Sequence, residues 1–219
     1  MESFNHQTRL GDVFLNKLLQ RGEDTTGMVA FSEFIEAIGK DRVPITDVLP
    51  VGLEKCRKYG IRNVVLEMDL NYHGIDYQKF TLKHIKDLMR ERLQWMKDNL
   101  GLRAKAFVNI RDFYDAMENR PVRMLKFVRF LSTLPVFIRP FALMVEESGK
   151  NLPEKVGVWI QTVRKEMTRS GWTDGHLVVH CHEQWGLVNS TQLECLAKGA
   201  DGIWTGMPQE GAAMGCAGS

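Results

Sequence analysis

The run HLVVHCHEQWGLVNSTQLECLAKGADGIWT, residues 176–205, reads as one complete β-α-β unit. Its first six residues are nearly all apolar, as in a strand covered on both faces rather than one. Helical spacing follows over 190–198, Gly199 supplies the left-handed residue that lets a helix end, and 201–205 reads as the next strand. A strand, a helix and a second strand joined this tightly return the chain in the same direction, so the two strands are expected to be parallel.

The same unit repeats upstream. Strand signals fall at 63–70 (NVVLEMDL), 104–110 (AKAFVNI) and 138–145 (IRPFALMV), and helical periodicity fits 81–99, 113–131 and 153–170, the last opening on a proline at the first helical position. Closer to the start the pattern is less regular. There 12–19 (DVFLNKLL) reads as a first strand, 31–38 as a short helix and 43–49 as an irregular second strand. The class is α/β. A TIM-type (β/α)8 barrel and an open doubly wound sheet are built from the same unit, and the absence of a Gly-rich dinucleotide turn favours the barrel. Barrels of about 250 residues commonly form one domain, so all 219 residues are expected to make a single one. The seventh strand is followed only by the Gly-rich 206–219. The barrel would therefore lack its last strand and helix, and open edges invite pairing with another chain, so a homo-oligomer or a longer parent chain is expected.

Composition excludes several classes. Apolar residues make up 44% and charged residues 26%, an ordinary globular balance. Twenty-nine basic and 27 acidic residues are spread along the chain, leaving a net charge of +2 and no footprint for nucleic acid. The densest basic stretch, 120–129, alternates with apolar residues as an amphipathic helix does. No signal peptide or membrane-length apolar run appears, and Cys56, Cys181, Cys195 and Cys216 show no CxxC spacing. The expected setting is intracellular, in the cytoplasm, with no membrane partner.

The sharpest chemical feature is His180-Cys181-His182 at a strand end. Side chains at i and i+2 share a face, so two imidazoles can reach one ion, while alternation turns Cys181 to the other side as a packed thiol. The plain reading is a pair of satisfied core histidines. The C-terminal ends of strands are where TIM-barrel sites assemble, which favours the ligand reading. Other polar groups at strand ends are Glu67 with Asp69, Asn109 with Arg111, and Glu146. Glu67 is the preferred acid/base and Arg111 the preferred anion-binding group, against the alternative that each caps a helix or pairs with a neighbour.

Three segments resemble the metal-dependent superfamily of HMG-CoA lyase, isopropylmalate synthase and homocitrate synthase, the pyruvate carboxyltransferase-type barrels. Residues 180–206 are similar to its HxHNDxGLAxANSLAALEAGAD segment, with His180 and His182 on the two metal ligands and Gly199-Ala200-Asp201 at the next strand entry. Residues 146–167 are similar to DTVGxxTPEEVxxLVxxVRE, where Gly149, Pro153 and Glu154 hold their places, and 21–32 to RDGEQTPGVxFS, where Gly22, Glu23, Thr25 and Gly27 agree.

The departures are equally specific. The superfamily's DxTLRDGE puts Asn16 at a metal-ligating aspartate and Gln20 at a catalytic arginine, Glu183-Gln184 stand for Asn-Asp, Glu146-Glu147 for Asp-Thr, and 216–219 for RAGN, so that Ser219 takes the place of the last ligand. Asn16 still offers an oxygen to a cation but brings no charge, and Gln20 lacks the two-pronged charged contact of arginine. The resemblance implies a divalent metal (magnesium, manganese or zinc) held by His180, His182 and Asn16. It also implies enolate chemistry that makes or breaks a carbon–carbon bond in a 2-oxo or 3-hydroxy acid, with an acyl-CoA as a candidate second substrate. The competing reading is a catalytically inactive barrel kept for ligand binding or assembly.

Overall fold

The computed structural model describes residues 3–4, 9–26, 28–33, 40–44 and 51–205. They divide into two compact units. The first takes in 1–68, 73–108 and 135–140, the second 69–72, 109–134 and 141–219.

In the first unit, β1 (Ser3–Phe4), β2 (Val29–Glu33) and β3 (Asn63–Met68) run parallel in chain order, with Val29 opposite Asn63 and Ala30 opposite Val64. Val64, Val65 and Leu66 are all fully buried, the signature of a strand covered on both faces. Helix α2 (Val51–Tyr59) packs against β2 and α3. It buries Leu53, Cys56 and Tyr59, one residue per turn on one side. Helix α3 (Leu82–Leu100) starts at Thr81, whose hydroxyl accepts from the His84 amide while the His84 ring accepts from the Thr81 amide. This reciprocal cap satisfies two amides that a helix start otherwise leaves unpaired.

The second unit repeats the architecture. Strands β5 (Ala142–Glu147), β6 (His176–Cys181) and β7 (Gly202–Trp204) are parallel, in the order β5-β6-β7. Helix α6 (Pro153–Arg169) joins β5 to β6, and α7 (Val188–Ala197) joins β6 to β7. Val156, Ile160, Val163 and Met167 form the buried stripe of α6 at intervals of three and four. Strand β4 (Lys105–Ile110) gives its first four residues to the first unit and its last two to the second.

The α/β class and the parallel strands are as expected, and the five clearest strands fall where the sequence places them. The strand expected over 138–145 starts later, at Ala142, because Ile138 and Arg139 are tied in a turn by hydrogen bonds from their amides to the Pro135 carbonyl. The helix expected over 113–131 is two helices, α4 (Phe113–Asn119) and α5 (Pro121–Ser132). Pro121 has no amide hydrogen to continue α4, but its fixed φ opens α5 at the first helical position.

The upstream expectations need correcting. Residues 12–19 do not form a strand but lie within helix α1 (Arg9–Gln20). Their apolar residues, at 13–15 and 18–19, include two pairs, 14–15 and 18–19, that satisfy a four-residue period, and Leu15 is buried while Val13, Asn16, Lys17, Leu19 and Gln20 are exposed. The expected helix at 31–38 begins instead as the end of β2, where Val29 and Ala30 are fully buried. Residues 34–38, and most of the strand expected at 43–49, lie outside the described residues. Neither α2 nor β1 is expected from sequence.

Candidate metal centre

The register of the second unit builds the site. Glu146, the fifth residue of β5, stands directly opposite His180, the fifth residue of β6. His182 follows the end of β6, and its amide donates to the Glu147 carbonyl at 2.8 Å, so the backbone that carries it remains tied to β5. One carboxylate and two imidazoles thus meet at the same strand ends. Their ligand atoms lie within 4.8 Å of one another, and all three groups are half-buried.

The hydrogen bonds fix the protons. The Trp204 carbonyl can only accept, so the 3.0 Å contact from His180 Nδ1 places a proton there and the ring's lone pair on Nε2. Burial disfavours the charged imidazolium and holds His180 below its ordinary pKa, against the opposing pull of Glu146 and of the Trp204 bond. The Nε2 lone pair of His180 is a donor of the kind metals take. Burial alone would raise the Glu146 pKa, but the His182 bond, the two histidine charges and Asn109 outweigh it, and the carboxyl titrates below the usual range. Its Oε1 lies 3.0 Å from His182 Nε2, and Asn109 Nδ2 donates to its Oε2 at 3.3 Å. The two histidine rings meet edge to face, 4.8 Å apart. Two borderline nitrogen donors and one anionic oxygen, already gathered and partly desolvated, suit a divalent ion.

The loops around the triad are held by carboxylates. Glu147, on the opposite face of β5 and 2% exposed, accepts from the amides of Gly149 and Lys150 and from the Asn151 side chain. Gly149, at φ +79°, lies so close to the next loop that a Cβ there would be 2.6 Å from the His182 carbonyl oxygen and 3.0 Å from the Gln184 amide nitrogen. Only glycine fits both that φ and that space. Glu183 accepts from the amides of Gly186 and Val188 and so caps the start of α7. The Glu-for-Asn and Glu-for-Thr departures noted in the sequence are thus loop-holding groups.

A second charged cluster belongs to the same unit. Arg111, two residues beyond Asn109 along the chain, pairs with Asp69 at 2.6 Å. Asp112 accepts from the Leu70 and Asn71 amides, and burial, together with the neighbouring Asp69 charge, raises its carboxyl to about 7.

His180 and His182 are brought together as expected. Glu146, named from sequence only as a polar strand end, joins them. The signal that could have found it is register, since aligning the apolar runs ALMV and LVV of neighbouring strands sets Glu146 beside His180. Asn16 and Gln20 are not delivered by a strand. They sit exposed on α1, and Glu67 is half-buried on β3, all in the first unit; the gathered donors of the second unit do not include them. Ser219 lies outside the described residues. Cys181 is fully buried, as the alternation requires, and the adjacent Cys195 thiol and burial push its pKa up. Among the described residues no helix is long and apolar enough to cross a membrane.

The sequence matches no protein-family model and no curated protein. Its fold is similar to solved structures from Rhizobium etli. One is a variant of the carboxyl transferase domain of pyruvate carboxylase with pyruvate, with a TM-score of 0.54, 17% identity, and 87% of this chain and 29% of that one covered. Another is pyruvate carboxylase crystallized without acetyl coenzyme-A, with a TM-score of 0.53, 16% identity, and 87% and 17% covered. The chain thus spans less than a third of either neighbour. At this identity the likeness concerns the fold alone.

Proposed function

We propose that the chain is the greater part of a (β/α)8 barrel and a divalent-metal-dependent enzyme acting on a small 2-oxo or 3-hydroxy acid. The observation that carries this is the convergence of Glu146, His180 and His182 at the ends of adjacent parallel strands, with ligand atoms within 4.8 Å. One neighbouring structure is of a carboxyl transferase domain with pyruvate, which supports a 2-oxo acid as the first substrate class to test. An acyl-CoA second substrate rests on the sequence resemblance alone, as does the HMG-CoA lyase-like assignment. A homo-oligomer and a cytoplasmic setting belong to the same proposal.

Glu146, His180 and His182 would hold the ion. Bound there, it would supply positive charge against the carbonyl and carboxylate oxygens of the acid, favouring the negative charge that develops when a neighbouring carbon–carbon bond is made or broken. Arg111 would bind the far carboxylate, with Asp69 aligning the guanidinium. Glu67 is the candidate acid/base, and the resemblance adds Asn16 as a further oxygen donor and Gln20 as a polar contact to substrate. Two imidazoles favour zinc or manganese over magnesium, which prefers oxygen ligands and keeps its water.

A specific observation favours the inactive alternative: Glu146 and the Trp204 carbonyl already satisfy one nitrogen of each histidine. Elemental analysis of protein purified without added metal, with zinc and manganese titrations, separates the two. About one ion per chain, lost in a His180→Ala/His182→Ala variant, supports the enzyme and justifies screening 2-oxo acids and thioesters. No binding at millimolar metal overturns it in favour of a binding or assembly role.

A further inference from the structure

Asn109 is 2% exposed, next to last in β4, and its Nδ2 donates to Glu146 Oε2 at 3.3 Å. The other oxygen of the same carboxylate, Oε1, takes the contact with His182 at 3.0 Å. The two oxygens are therefore divided: one faces β4, the other faces the histidines. A glutamate has three rotatable side-chain bonds, and its last torsion is broad, so without a second contact the carboxylate plane is poorly fixed.

We propose that Asn109 is a positioning residue for the metal centre, holding Glu146 so that a single oxygen is presented beside His180 and His182. The inference rests on the proposed metal reading and adds to it how the carboxylate is used. With Oε2 retained by the Asn109 amide, Glu146 serves as a one-oxygen ligand and coordination positions stay open for substrate. Without that bond the carboxylate can turn both oxygens toward the ion and close one of them. The amide donor is what matters, because a carboxylate oxygen can accept from it but gains nothing from an acceptor in its place. Groups that orient a ligating carboxylate in this way commonly change metal affinity by about 10- to 100-fold when removed.

The test is a zinc and manganese titration of the full chain with competing chelators, for wild type, Asn109→Ala, Asn109→Asp and Glu146→Gln. Thermal melts of the metal-free proteins would establish that each variant folds. The manganese paramagnetic resonance spectrum reads the ligand arrangement directly. Loss of about tenfold or more in affinity for Asn109→Ala, an equal or larger loss for the near-isosteric Asn109→Asp, and a changed manganese spectrum support the inference. Asparagine variants that bind like wild type with the wild-type spectrum, while Glu146→Gln loses the metal, overturn the positioning role and leave the metal reading standing. Absence of binding by wild type overturns both. Should Asn109→Ala fail to fold, the Asn109→Asp titration and spectrum decide alone.

Discussion

Replacing Gly149 by alanine puts two costs on one position. At φ +79° a Cβ crowds its own backbone, which costs roughly 1–2 kcal/mol. The same Cβ would stand 2.6 Å from the His182 carbonyl oxygen, about 0.8 Å inside the 3.4 Å at which ordinary contact begins, and it meets the Gln184 amide nitrogen at 3.0 Å. Both obstacles are backbone, so a side-chain rotation cannot relieve them. The two loops must part by several tenths of an ångström, and His182 rides on one of them. Gly171→Ala is the control, because Gly171 has a similar φ of +87° but nothing within 4 Å of its Cβ. The control should lose only the conformational part, about 2–8 °C in Tm at roughly 2–4 °C per kcal/mol for a chain of this size, and keep its metal affinity. Gly149→Ala should melt lower still and bind zinc at least about tenfold more weakly, the effect expected when support around a metal ligand is disturbed. Differential scanning calorimetry of the metal-free proteins and chelator competition read the two effects separately. Equal melting temperatures for the two variants, with wild-type zinc affinity in both, would refute the close approach of the loops.

Asp112 should make the protein less stable as pH rises. Its folded pKa, raised to about 7 by burial and by Asp69, exceeds the ordinary 3.8, so the folded state holds a proton that the unfolded state has released across that window. Urea midpoints should fall between pH 4 and 7 and level off above, and Asp112→Asn should flatten the slope; equal slopes in both proteins would contradict the assignment. Burial pushes the Cys56 thiol up to about 12, and Cys181 is also raised. Neither should react with a disulfide reagent in native protein at pH 8, whereas unfolding should expose both, and rapid native labelling mapped to Cys181 would show β6 to be less covered than described. Arg111→Lys keeps the charge but loses the planar fork, so it should raise the KM for a 2-oxo acid while leaving zinc affinity unchanged; a lost metal would place Arg111 among the structural supports.

The parts of the fold that were legible share one property: the local pattern and the burial it causes have only one solution. A strand covered on both faces has to be apolar through its middle, and Val64, Val65 and Leu66 are; 176–181 is expected to be covered in the same way, but it buries only Leu177, Val179 and Cys181 and leaves His176, Val178 and His180 less covered. The upstream failures are of the opposite kind. DVFLNKLL suits a strand by its apolar density and a helix by its spacing, and in α1 Leu15 is buried while Val13 and Leu19 are exposed. Helix α2 is not legible in the sequence because its stripe, Leu53, Cys56 and Tyr59, is narrow and crossed by charge. The break at Pro121 was written in the sequence, but sustained periodicity on either side concealed it.

The site shows the same division one level up. His180 and His182 could be paired from sequence because two-residue alternation is a property of one strand. Glu146 could not be joined to them by any local rule, since its neighbourhood depends on how β5 is registered against β6. The resemblance to metal-dependent lyases implies a third ligand, Asn16, from a first-strand position, and the structure has helix α1 there. Glu146 provides the negative charge that asparagine does not. Two neutral imidazoles with one carboxylate make a donor set of net charge −1, enough to favour a dication while leaving the complex positive toward an anionic acid. If Glu146 is the residue that brings that charge, Glu146→Gln should cost more metal affinity than Asn16→Ala. The reverse order would return the third ligand to the first unit.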